Sequence, residues 1–164
     1  MKRFMMSMLV MILCISMPLV TFAQSIEESE DEDDFHIVID ATDTSEQIYQ
    51  IDGIEFKVLP VLTKATVPAN RTVIVRDILN DAILGNVYIY ADCIYDGQRV
   101  SAVSYFSRVM YKPSSSDLRV TNTTLEGNGT RMLTVTSKVA FTGSTGKKSS
   151  GGFELRVYSN GYYQ

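Results

Sequence analysis

From residue 35 onward, apolar residues recur at every second position far more convincingly than at the helical period of 3.6, and turn residues fall between the runs at hairpin spacing. Gln47 to Ile51 and Ile54 to Leu59 flank Asp52-Gly53, a two-residue connection suited to a type I′ turn, so one hairpin is expected there. Asn86 to Tyr95, Asp96-Gly97 and Gln98 to Tyr111 repeat the device with longer strands. In the second of these, strict alternation puts Val100, Ala102, Ser104 and Phe106 on one face and Val103, Tyr105 and Val109 on the other. Leu118 to Leu125 and Arg131 to Thr142 are separated by Glu126-Gly127-Asn128-Gly129, and the later run sets Leu133, Val135, Val139 and Phe141 against Thr134, Thr136, Lys138 and Thr142. Phe153 to Tyr158 reads as a closing strand after a Gly/Ser loop over Gly143 to Gly152. Only Val75 to Gly85 leaves room for a short helical turn, and Thr72 to Ile78 reads equally well as a strand. The pattern predicts an all-β domain over 36–164, a single antiparallel β-sandwich of about seven to nine strands.

The first 23 residues read differently. Lys2 and Arg3 precede an almost charge-free apolar run from Phe4 to Val20, and Thr21-Phe22-Ala23 places small residues at the −3 and −1 positions of a signal-peptide cleavage site. Cleavage between Ala23 and Gln24 is expected, and with it an extracytoplasmic, secreted or cell-surface location. Cys14 is a poor lipidation site, because Leu13 precedes it and the apolar run continues beyond it. No second apolar stretch has membrane-spanning length, so no stable membrane insertion is expected after cleavage.

Removing Lys2 and Arg3 leaves 13 basic against 19 acidic residues, a net charge of −6. Seven of the carboxylates lie between Glu27 and Asp34, so the chain from Phe35 onward is nearly neutral. Residues 24–35 are expected to be an acidic, disordered, solvated linker, since contiguous like charges repel and the alternating spacing of a calcium loop is missing. Lys and Arg are scattered rather than gathered on one face, which argues against nucleic acid as a partner. Cys93 is the lone cysteine left after cleavage and cannot form an intramolecular disulfide; its place in the apolar run Val87 to Tyr95 predicts a buried, inert thiol.

Candidate chemistry is thin. His36 is the only histidine, and one histidine with one cysteine excludes the commoner nucleophilic triads and catalytic zinc sites. Gly143-Ser144-Thr145-Gly146-Lys147 joins two strands rather than opening a helix, so it lacks the dipole that holds phosphate. The carboxylate pairs Asp92 with Asp96, and Asp117 with Glu126, are the nearest approach to a hydrolase, but Asp96 is already explained by its turn. No catalytic residue, metal site or cofactor is assigned, and the chain is read as a non-enzyme.

Tyrosine is the most informative functional class. Tyr88 and Tyr90 share a face opposite Val87, Ile89 and Ala91, either toward solvent or beneath a second sheet, and Tyr105 and Tyr111 lie on the next strand. Together these four are the candidate binding residues, since tyrosine offers a flat apolar ring with a hydrogen-bonding tip. The layout of a leader, a polar tail, Tyr95-Asp96-Gly97 between long strands, Asn122-Thr123-Thr124 to Asn128-Gly129-Thr130, and Tyr158-Ser159-Asn160-Gly161 resembles uncharacterised small secreted β-sandwich proteins of Gram-positive bacteria. That resemblance transfers no site residues. The expectation is an exported binding or interaction domain that recognises a protein or cell-envelope glycan through strand faces or a sheet edge. The alternatives are a carbohydrate-binding module and a secreted toxin or immunity factor.

Overall fold

The structure, a computed structural model, describes residues 34–43, 45–60 and 69–159. The leader, the Ala23-Gln24 cleavage point, Cys14, linker residues 24–33, and Tyr162 and Tyr163 lie outside the described residues.

Nine strands form, β1 (Phe35–Asp40), β2 (Gln47–Ile51), β3 (Ile54–Val58), β4 (Ala69–Asp77), β5 (Ala82–Tyr95), β6 (Val100–Tyr111), β7 (Arg119–Glu126), β8 (Met132–Thr142) and β9 (Lys148–Tyr158). They make a four-stranded sheet of order β1-β9-β8-β7 and a five-stranded sheet of order β2-β3-β4-β5-β6, packed as a sandwich. The expected Asp52-Gly53 turn is in place: Asp52 and Gly53 take positive φ angles of 50° and 80°, as a type I′ connection requires, whereas the connection at Asp96-Gly97 is four residues long rather than two, since Tyr95 pairs with Val100. The ambiguous stretch after Thr72 is strand up to Asp77, followed by a turn over residues 78–81 rather than a helix.

The buried stripes of both sheets meet between the layers. Phe56, Val58, Val73, Val75, Val87 and Ile89 from one sheet face Ile37, Ile39, Leu133, Val135, Phe153 and Leu155 from the other. Phe35, Phe56, Phe141 and Phe153 form an aromatic centre, with the Phe35 and Phe56 ring centroids 4.5 Å apart. Cys93 belongs to this core; its thiol points to the Ala91 carbonyl at 3.7 Å, and burial pushes its pKa up. Arg71, also buried, donates to the carbonyls of Asp40, Ala41 and Asp43, so its charge is hydrogen-bonded where β1 ends.

Besides single-residue register shifts at Leu84 in β5 and Thr121 in β7, three features depart from simple alternation. β1 pairs with β9 in parallel, Phe35 opposite Gly151, so the sandwich is not wholly antiparallel. This strand begins one residue inside the stretch assigned to the linker. β9 starts at Lys148, within the expected Gly/Ser loop, and Gly151 is a packing requirement in it: a Cβ there would strike the Phe35 carbonyl oxygen and ring. Finally, β6 carries bulges at Val103 and Met110, where the pairing with β5 skips a residue. Each bulge reverses the facing of the residues beyond it, so Val100 and Ala102 pair with inward-facing Tyr95 and Cys93, whereas Ser104 and Phe106 pair with outward-facing Asp92 and Tyr90. The shared face expected for Val100, Ala102, Ser104 and Phe106 is therefore corrected.

Candidate binding face on the five-stranded sheet

β5 alternates cleanly between Asn86 and Cys93. Val87, Ile89 and Ala91 are fully buried, and the intervening Asn86, Tyr88, Tyr90 and Asp92 therefore point outward. On the neighbouring strand Phe106 lies opposite Tyr90 and Arg108 opposite Tyr88. The side chains condense into one cluster. Tyr90 and Phe106 stack at 4.9 Å with an interplanar angle of 24°, and Tyr88 lies 6.2 Å from Tyr90 and 6.1 Å from Phe106. The Arg108 guanidinium sits over the Phe106 ring at 5.4 Å, and its Nε donates to the Met110 sulfur. Burial among these neighbours raises the Tyr88 phenol pKa, with the adjacent Tyr90 adding to it and Arg108 opposing it.

Of the four tyrosines singled out in the sequence, Tyr88, Tyr90 and Tyr111 come to this outer face, Tyr111 opposite Asn86 at its far end. Tyr105 is opposite Ala91, on the inward side, and reaches solvent at the margin of the sandwich. Phe106 and Arg108 were not assigned to the site, because the bulge at Val103 that brings them beside the tyrosines leaves no mark in the hydrophobic pattern.

The outer face of the opposite sheet has another character. Thr124, Thr134, Thr136, Lys138, Glu154 and Arg156 cover it, with Glu154 accepting from Arg156 at 3.0 Å and meeting the exposed His36 at 3.1 Å. It is a hydrated polar surface, and the aromatic cluster belongs to one sheet alone.

Asp77, Asp117 and Asp96 are occupied by the fold. Asp77 and Asp117 line an open hollow of about 420 Å³ beside Ser115, Ser116 and Thr142. Asp77 accepts from the backbone of Ser144 at 2.7 Å and Leu79 at 3.0 Å, and the Ser144 bonds foremost hold its carboxyl below the ordinary value. Asp117 accepts from the hydroxyl and backbone of Thr142, which lowers its pKa likewise. Asp96 closes its turn by accepting from Gln98 and Arg99. Asp117 precedes β7 and Glu126 ends it, so the length of the strand, roughly 25 Å by strand rise, lies between them, well beyond the separation a glycosidase pair needs. The Gly143–Lys147 segment is a loop between β8 and β9, with the Lys147 amine on the Asp52 carboxylate at 2.8 Å. Among the described residues no group of three His, Cys, Asp or Glu side chains is placed to hold a metal ion. No protein-family model, curated protein or solved structure matches the chain.

Proposed function

We propose that the chain is an exported, non-enzymatic binding domain that recognises another protein through the aromatic outer face of its five-stranded sheet. The observation that carries this reading is the Tyr88, Tyr90 and Phe106 cluster with Arg108 beside it, on a sheet face that no other strand among the described residues covers. Tyrosine and arginine beside apolar rings are the residue types that dominate protein interfaces, where a few anchors supply most of the affinity. The carbohydrate alternative draws less support. Sugar stacking needs a free ring face, and here Phe106 already meets Tyr90 and the Arg108 guanidinium. Export is supported by the sequence of the first 23 residues.

Affinity capture with the immobilised chain tests the proposal against whole cells, purified cell wall and extracellular protein, with and without soluble sugars. Saturable capture of a discrete protein, unaffected by sugar, is expected. Retention on wall or glycan that soluble sugar competes away would replace this reading with a carbohydrate-binding module.

A further inference from the structure

Resting on the reading of the outer face as a protein-binding surface, the geometry points to how the partner docks and to its chemistry: an extended segment of another polypeptide, alternating acidic with apolar residues, adds to the five-stranded sheet along β6.

β6 is an edge strand of 12 residues whose sheet partner is β5. One end of its free side is closed by the turn between β7 and β8. Val100 donates to Thr130 at 2.7 Å and accepts from Gly129 at 2.9 Å, and the Ala102 N–H donates to the Asn128 side chain at 2.9 Å. Among the described residues no comparable backbone bond closes the free side from Val103 to Tyr111. The bulges at Val103 and Met110 bracket Ser104 to Val109, which stay in unbroken register with β5. In an edge stretch of this kind, alternate residues turn both N–H and C=O outward. β7 does not fill the position: it belongs to the other sheet and meets β6 between the layers, through the Ser107 and Thr123 hydroxyls 2.5 Å apart.

Apolar side chains are exposed along this edge, Val103 at 64%, Met110 at 56% and Tyr111 at 57%, with Tyr105 and Phe106 at 41% and 37%, between the polar Ser104, Ser107 and Arg108. The opposite edge, β2, is five residues long and bears two glutamines. Natural sandwiches keep exposed edges short, charged or covered, and a long apolar edge is a template for strand addition.

Charge selects the occupant. β6 carries Arg108 as its one charged residue and no carboxylate, and Asp92, opposite Ser104 on β5, is the one carboxylate on the outer face of this strand pair. Arg108 meets the Phe106 ring and the Met110 sulfur, with no carboxylate beside it among the described residues. A second copy paired through β6 would bring a second Arg108 to the edge and no β6 carboxylate to meet it. The chain's own acidic stretch has Ile26 as its one apolar residue between Gln24 and Asp34, and it leads into β1 at the far edge of the opposite sheet. An acidic strand with apolar residues at alternate positions meets both Arg108 and the aromatic cluster.

The test is amide hydrogen exchange by NMR on the full chain, using an eight-residue peptide that alternates Glu with Val and Tyr, and its counterpart with Lys for Glu. The acidic peptide is expected to slow exchange of alternate amides from Ser104 to Val109 by tenfold or more. R108E is expected to weaken this peptide by tenfold or more and to gain binding of the Lys peptide, which also shows that the variant folds. Perturbed Tyr88, Tyr90 and Phe106 signals without amide protection would overturn strand addition and leave the face reading intact. Equal binding of both peptides by the wild type would overturn the acidic partner. Protection present without peptide would overturn it too, assigning the edge to a second copy if concentration-dependent and to the chain itself if not. If neither peptide acts but a captured protein still depends on Tyr88 and Tyr90, the inference fails alone; if no capture depends on them, the face reading fails.

Discussion

Replacing Asp77 probes how the two sheets are tied at one end of the sandwich. Its carboxylate is buried, and it joins the turn after β4 to the loop between β8 and β9 through the Leu79 and Ser144 N–H groups. A hydrogen bond to a charged group contributes about 1.5–3 kcal/mol. Both donors belong to exposed residues, so water replaces part of what is lost, and D77A is expected to cost about 2–3 kcal/mol at neutral pH. D77N keeps an acceptor oxygen and is expected to cost about 1 kcal/mol. The pH dependence has a definite sign. Because the fold lowers the Asp77 pKa, its contribution is present above the unfolded carboxyl value of about 3.9 and fades as pH falls through the folded value. Urea unfolding followed by far-ultraviolet circular dichroism, at pH 7 and again near pH 3, measures the gap between wild type and D77N. The gap should narrow in acid. A gap equally wide at both pH values, or a D77A loss below about 0.5 kcal/mol at pH 7, would refute the assigned role of the carboxylate.

Three further outcomes check the packing. G151A forces a Cβ against the Phe35 carbonyl and ring, and is expected to cost about 1–3 kcal/mol and to release exchange protection in β1 first. F35A removes one ring from the aromatic centre and should cost about 3–5 kcal/mol in the same unfolding assay; a smaller loss would place β1 outside the cooperative core. Cys93, buried and with its pKa raised, should react with an aromatic disulfide reagent only as fast as the domain opens, so that added urea accelerates the reaction.

The fold was legible in the sequence wherever alternation is unbroken. β8 could be read residue by residue, because Leu133, Val135, Val139 and Phe141 keep step with one buried face. Asp52-Gly53 and Asp96-Gly97 marked their turns through the backbone conformations they permit. The pattern failed where the pleat slips. A bulge adds one residue to one strand only, so Val103 looks like any other β-branched residue while it turns Phe106 and Arg108 toward the tyrosines. Gly151 and Gly152 mimic a loop because glycine normally breaks strands, yet here the close approach of Phe35 demands a missing side chain. Parallel pairing of β1 with β9 joins the two ends of the domain, a contact local patterning does not encode. Tyr88 and Tyr90 were recognisable as one stripe, but which stripe met the core was decided by Val87, Ile89 and Ala91 being packed against the other sheet.

The central claim is that the outer face of the five-stranded sheet is where the molecule binds. Its most direct test is the affinity of the captured partner for the Y88S and Y90S variants, measured beside the urea stability of the same preparations. The account predicts at least a tenfold loss of affinity with stability held within about 1 kcal/mol, as for side chains outside the core. Unchanged affinity together with a stability loss of several kcal/mol would contradict it and make these tyrosines part of the packing.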